Sequence, residues 1–158
     1  RIHQGVDWGW FPDPFAFVRV HYDAARETIY FIDEYGANKK KNIETAAEIK
    51  QRGYDDYTIT CDSAEKKSTS DYRDEGLPAR DAIKGPGSVE YSMKWLQGKK
   101  LVFDPKRTPG ARKEFKKYEY DRDKDGNIIS GYPDRDNHFI DATRYATETL
   151  WRRRGNSA

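Results

Sequence analysis

Three aspartates stand where local sequence gives little reason for a carboxylate. Asp7 lies between Val6 and Trp8 in a short β-prone segment, Asp62 follows the strand-like run Thr58-Ile59-Thr60-Cys61, and Asp141 falls in the first turn of a helix-prone segment that opens at Phe139. A half-buried pleat accommodates a carboxylate poorly unless it is paired or bound to a metal. Each acid alone has a plain structural explanation, since strand ends tolerate Asp and a helix N-terminus favours it. Together they can converge at one sheet edge, where hard oxygen ligands suit Mg²⁺ or Mn²⁺. Two such ions roughly 3.5–4 Å apart stabilise both the attacking and the leaving oxygen of a phosphodiester displacement. His138 precedes Asp141 by three residues and shares its helical face. It could bind a metal through a ring nitrogen, orient Asp141 or shuttle a proton, against the simpler reading of a surface histidine near a helix cap. His3 and His21 have no comparable neighbours and read as structural or solvent-exposed.

The elements that must carry these residues follow from periodicity. Gly5–Gly9 reads as a short strand, and Phe15–Tyr22 and Thr28–Glu34 are rich in aromatic and β-branched residues, with a hairpin-length link between them. A helix capped by Asn38 is expected to run to about Arg52, with Gly53 ending it. Tyr57–Asp62 reads as a strand, Glu65–Arg73 as a helix, Ala79–Lys84 as a short strand, Ser88–Gln97 as a helix and Leu101–Phe103 as a strand fragment. A helix is expected over 109–117, a hairpin from Lys116–Tyr120 to Ile128–Gly131 around Asp125-Gly126, and a single helix over Phe139–Arg153. The order predicts one α/β domain with a central mixed sheet and helices on both faces.

Composition bounds the function. The 158 residues suffice for one domain with a real core, and aromatics at 14% argue against a disordered chain despite 35% charged residues. A single cysteine, Cys61, excludes a disulfide framework or a multi-Cys zinc site, and it reads as a small buried residue. No apolar run reaches the length of a membrane helix, and no signal-peptide pattern opens the chain. The net charge of +2 names no partner, but its distribution is uneven. Lys94–Glu119 holds nine basic and three acidic residues, a net +6 that leaves −4 for the remainder. Such a segment is either a solvated face or a footprint for a phosphate backbone. The chain begins at Arg1 and not Met, the expectation for a domain cut from a larger protein.

The residues also carry a resemblance. Gly5-Val6-Asp7-Trp8-Gly9-Trp10 followed by Asp13-Pro14-Phe15-Ala16 and the strand ending Asp33-Glu34, then Cys61-Asp62-Ser63-Ala64-Glu65-Lys66-Lys67-Ser68, then Asn137-His138-Phe139-Ile140-Asp141-Ala142-Thr143-Arg144-Tyr145, resemble in order the motifs of the nuclease domain of the large terminase subunit of tailed bacteriophages. The likeness spans residues 5 to 151. It implies a ribonuclease H-like fold and a metal-dependent endonuclease that cuts concatemeric viral double-stranded DNA with little sequence preference during genome packaging. By the same resemblance Asp7, Asp62 and Asp141 would be the catalytic, metal-binding acids, with His138 beside them and two Mg²⁺ or Mn²⁺ ions. The family's other half is an ATPase motor. No Gly-x-x-x-x-Gly-Lys-[Ser/Thr] occurs in this chain, so no ATPase activity is expected of it. The implied partners are that ATPase domain, the small terminase subunit and the portal, with no membrane, in the cytoplasm of the infected bacterial host.

Around that core, Lys106, Arg107, Lys113, Lys116 and Lys117 are candidates for phosphate contacts, weighed against a merely solubilising face. Asp33, Glu34 and Glu65 are candidates for supporting the metal ligands, although acids that open turns are common. Asp121–Ile128 matches the first half of an EF-hand loop but has Tyr132 at the twelfth position where a bidentate Glu is needed, so calcium is not expected there. Arg152–Arg154 reads as a frayed charged tail. Two other readings stay open: another ribonuclease H-like enzyme of the junction-resolvase or recombinase type, and a non-catalytic module docking DNA or the portal.

Overall fold

A computed structural model describes residues 1–119 and 136–152. Six strands, β1 (Ile2–Asp7), β2 (Phe15–Asp23), β3 (Thr28–Ala37), β4 (Ile59–Cys61), β5 (Ala79–Asp81) and β6 (Lys100–Val102), form one sheet in the order β5-β4-β1-β2-β3-β6. β1, β2 and β3 form an antiparallel meander, while β4, β5 and β6 join in parallel, so the sheet is mixed. The helices are α1 (Asn42–Gln51), α2 (Lys66–Asp74), α3 (Ser88–Gln97), α4 (Pro109–Glu119), α5 (His138–Ala146) and the four-residue α6 (Glu148–Trp151), with a 3₁₀ turn at Tyr54–Asp56.

Alternation along β2 divides the core. Phe15 and Phe17 join Val6 of β1 against Ala46 and Ile49 of α1 and Tyr72 of α2. Ala16 and Val18 face the other way onto Ala142 and Ala146 of α5, and Val20 continues that face toward Met93 and Leu96 of α3 and Phe115 of α4. Helices therefore cover both faces, as the sequence predicts. α5 sits unusually close to β1 because Gly5 has no side chain. A Cβ there would collide with the Ala142 carbonyl and stand 2.6 Å from the Ala146 nitrogen.

Several boundaries differ from expectation, each for a physical reason. β1 starts at Ile2 because Gln4, fully buried, donates its side-chain amide to the Tyr54 and Tyr57 carbonyls, a polar pairing that hydrophobic alternation does not reveal. The strand ends at Asp7, and Trp8 and Gly9 belong to the following loop. β3 runs on to Ala37, so α1 opens at Asn42, where Glu44 accepts from the Lys41 amide at 2.9 Å. Gly53 takes φ +81° after that helix, as a C′ glycine does. Lys116 to Glu119 is the last turn of α4 and not a strand; the rest of the expected hairpin and the Asp121–Ile128 loop lie outside the described residues. The terminal helix divides at Thr147, where Glu148 turns inward to accept from Arg80 and from the Ile83 amide. Arg152 is exposed, and Arg153 and Arg154 lie outside the described residues.

Candidate active site

The parallel pairing of β1 with β4 matches Val6 to Cys61, so the next residues, Asp7 and Asp62, leave neighbouring strands side by side at their C-terminal ends. The Asp62 amide still donates to the Val6 carbonyl at 3.0 Å, and Trp8 Nε1 donates to the Asp62 carbonyl at 2.9 Å, which ties the two strand ends together. Asp7 shares the face of Gly5, two residues back. Because Ala142 and Ala146 seat over Gly5, the preceding turn of α5 carries His138 and Asp141 over Asp7. Strand pairing thus supplies two acids, and one missing side chain lets a helix deliver the third.

The electrostatics agree with three acids held against one another. Burial pushes the Asp7 carboxyl up to about 6, and the neighbouring Asp141 and Asp62 add to the rise; only the nearby His138 opposes it. Burial also raises Asp141, with Asp62 contributing, against the opposing pull of Arg144. His138 Nδ1 lies 3.4 Å from Asp7 Oδ2 and its Nε2 lies 3.5 Å from Asp13 Oδ1, and these carboxylates raise its own proton affinity, Asp7 foremost. Two cations partly neutralise the cluster. Lys84 Nζ is 2.6 Å from Asp62 Oδ1, and Arg144 Nη1 is 2.8 Å from Asp141 Oδ1 while its Nε donates to Ser92 Oγ at 2.7 Å.

The donor set fits a divalent cation. Two of its carboxylates already draw ammonium or guanidinium groups to bonding distance, and the third, Asp7, resists ionisation because it is buried, with only a histidine to offset its charge. Among the described residues no three His, Cys, Asp or Glu side chains stand already at coordinating separation. Asp7, Asp62 and Asp141 are the residues that would hold such an ion, with Lys84 and Arg144 the cations it would displace.

The supporting cast differs from the sequence reading. A register shift between Arg19 and Val20 pairs Arg19 with Asp33 and Val20 with Phe31, so Ile32 bulges and side chains beyond it change face. Asp33 therefore points at the α1 side, accepting from Tyr54 Oη at 2.7 Å, Arg107 Nη2 at 3.1 Å and Arg52 Nη1 at 3.2 Å. Glu34 points at α4 and accepts from the Gly110 and Ala111 amides, each at 2.8 Å. Glu65 is exposed at the start of α2 and accepts from Ser68 Oγ. None of these three contacts Asp7, Asp62 or Asp141. Glu114 takes the role instead: its Oε1 accepts from the Phe139 and Ile140 amides at 2.8 and 3.1 Å, which fixes the first turn of α5 beside Asp141. Burial pushes Glu114 up to about 7. Asp13 and Arg144 lie within the motifs that carry the resemblance but have no role assigned from sequence, and Arg144 also stands one helical turn past Asp141; Lys84 and Glu114 have no sequence signal that ties them to the site.

The basic candidates divide as well. Lys113 and Lys117 of α4 line a cleft of ≈ 440 Å³ together with Pro12, Asp13, Glu114 and His138. Arg107 is engaged with Asp33 and Tyr54. Lys106 and Lys116 are exposed. His21 Nδ1 meets the N-terminal amine at 2.9 Å, and burial lowers His3 to about 4. Cys61 is buried, which raises its thiol well above the ordinary value. No described helix is long and apolar enough to cross a membrane.

Comparison with known proteins bears on the same residues. The model of the terminase RNase H-like domain family matches residues 7–149, a span that holds Asp7, Asp62, His138 and Asp141. The chain belongs to that family. It is 42% identical over 160 residues to the terminase large subunit of Bacillus phage SPP1, covering 99% of this chain and 38% of that protein. The PBSX phage terminase large subunit of Bacillus subtilis is 32% identical over 148 residues, covering 93% of this chain and 34% of the relative. The chain thus spans well under half the length of both relatives. Among solved structures, the nuclease domain of the SPP1 large terminase with bound Mn superposes with a TM-score of 0.85 at 42% identity, covering 94% of this chain and 86% of that one. The sheet order and the two helical layers are accordingly those of a terminase ribonuclease H-like domain.

Proposed function

We propose that this terminase domain is a divalent-metal-dependent endonuclease that cuts double-stranded viral DNA during genome packaging, with little sequence preference. The observation that carries the proposal is that β1, β4 and α5 bring Asp7, Asp62 and Asp141 beside one another, where burial, added to by the neighbouring carboxylates, raises two of them. The SPP1 nuclease domain, 42% identical, holds Mn in its solved structure, which supports Mg²⁺ or Mn²⁺ here. A pair of such ions, when bound, supplies the positive charge that activates water and stabilises the leaving oxygen of a phosphodiester. The chain's own residues do the rest. Asp7 and Asp62 hold ligand oxygens on neighbouring strands, and Asp141 completes the set from the helix. His138, within 3.4 Å of Asp7 and facing the cleft, is placed to take or return a proton at its Nδ1 or Nε2. Lys113 and Lys117 on the cleft wall offer charge to the phosphates of the DNA backbone.

In the full protein this domain would act beside an ATPase domain, with the small terminase subunit and the portal as partners, in the cytoplasm of an infected bacterium. The test is cleavage of supercoiled plasmid in Mn²⁺, Mg²⁺, Ca²⁺ or EDTA by wild type, Asp7→Asn and Asp141→Asn. Nicking and linearisation with Mn²⁺ or Mg²⁺, lost in EDTA and in both variants, is the expected result. A folded wild type that binds DNA but cuts it under no metal would overturn the proposal and favour a docking module.

A further inference from the structure

The loop between β1 and β2 is built to push aromatic surface into solvent beside the cleft. At its neck Gly9 packs on the backbone of Asp13 and Pro14 so tightly that a Cβ would come within 2.6 Å of the Asp13 carbonyl oxygen. That pinch forces Trp10, Phe11 and Pro12 outward. Trp10 is 52% exposed and Phe11 59%, the two most exposed aromatic side chains of the described core elements and loops. The inner flank of the same loop, Pro12 to Pro14, forms one wall of the cleft that holds His138, and α4 forms the other. On the outer flank the Lys39 amide donates to the Trp10 carbonyl at 2.8 Å, and Lys39 Nζ stands 4.5 Å from the Phe11 ring centre. Lys39 opens a run of three exposed lysines, Lys39–Lys41, none of them in an ion pair among the described residues, although Lys41 lines a shallow cleft with Asp71, Asp74 and Glu75.

Exposed aromatic rings backed by unpaired cations match one kind of partner. Duplex DNA offers phosphates to the lysines and, in its grooves, sugars and base edges to the rings, whereas a protein surface covering these lysines would need acids to match them. Aromatic contact of this kind is tolerant of sequence, because every base presents similar apolar surface. We propose that Trp10 and Phe11, with Lys39–Lys41 behind them, form a DNA-binding lip that packs on sugars and base edges in a groove of the duplex as it enters the cleft that holds His138. The lip rests on the nuclease reading and adds a second, non-electrostatic grip to it, opposite Lys113 and Lys117.

Both rings are exposed, so Trp10→Ala/Phe11→Ala leaves the core intact, which circular dichroism and the melting temperature verify. Affinity is read by fluorescence anisotropy of a labelled 30-base-pair duplex (an arbitrary mixed sequence) in Ca²⁺ and in EDTA across a salt series. The double variant should bind about 5- to 100-fold more weakly with the slope against salt unchanged, and Trp10→Phe should recover most of the loss. Lys39→Gln/Lys40→Gln/Lys41→Gln should lower the magnitude of the slope by about 2–3. Affinity of the aromatic variant within twofold of wild type would overturn the lip and turn that surface over to a protein partner, as would a lysine triple variant with an unaltered slope. Wild-type plasmid cleavage in Mn²⁺, run alongside, separates the two proposals: absent cutting sinks the nuclease reading, while the anisotropy series judges the lip.

Discussion

Asp7, at the end of β1, and Asp33, midway along β3, are both buried acids of the antiparallel meander, and their surroundings are opposite. Asp33 accepts from a tyrosine hydroxyl, two guanidinium groups and the Glu34 amide, and although burial pushes its carboxyl up, those donors hold it below the ordinary carboxylate range. Asp7 has a histidine nitrogen at 3.4 Å and two further carboxylates nearby, and it is pushed up to about 6. One carboxylate is fully satisfied by the protein, and the other is left with charge that only an added cation can match. An acid on a strand says little about function until its donors are counted. A satisfied acid holds the fold together, and an unsatisfied one stores binding energy for a ligand.

That contrast can be broken by substitution. Asp62→Asn or Asp7→Asn should reduce metal-dependent plasmid cleavage by on the order of 10³-fold. Because Asp7→Asn relieves repulsion instead of removing packing, its melting temperature without metal should hold or rise. A marked fall in that temperature would mean that the acid is structural. Asp33→Ala should do the reverse. Stripping the buried partner from Arg52 and Tyr54 should lower stability by about 3 kcal/mol, while cleavage per folded molecule stays near wild type. Urea unfolding beside specific activity separates the two classes of effect.

Titration sharpens the same contrast. Asp7 and Glu114 have native values of about 6 and about 7, above their ordinary 3.8 and 4.5, so between pH 4 and 7 the native state binds more protons than the unfolded chain. Their contribution to stability is therefore complete well below pH 4 and is lost as pH rises through the native values of about 6 and about 7. The metal-free protein should be more stable at pH 5 than at pH 8, by about 1.4 kcal/mol from Asp7 alone. Asp7→Asn should flatten the dependence, and a melting temperature that rises with pH over this range would contradict the cluster. The smallest effect expected is that of Glu34→Gln. Its amide oxygen still reaches the first turn of α4 without the charge, at a cost of about 1 kcal/mol in urea unfolding and no change in metal affinity.

Much of this was legible in the chain. The aromatic and β-branched runs of β2 and β3, the span Ser88–Gln97 and the separate positions of Asp7, Asp62, His138 and Asp141 carry local signals that the folded molecule respects. What was hidden is what tertiary pairing decides. Ile32 looks like any strand residue, yet by bulging it turns Asp33 away from the face that strict alternation from Phe31 would give it. Gln4 looks polar enough to break a strand, but it is buried because two carbonyls happen to face it. Lys84 and Glu114 reach the site from distant elements, and no spacing in the sequence ties either to Asp62 or to the turn before Asp141. Thr147 sits within a continuous helical pattern, and the break there is caused by Glu148 seeking Arg80.

α4 is gripped twice: Glu34 holds its first amides, and its own Glu114 holds the first amides of α5. The height of Asp141 above β1 is thereby set by carboxylate clasps through space: loosening either one should retune the third acid relative to the two strand-borne ones without touching any of the three, a remote adjustment screw built from two glutamates.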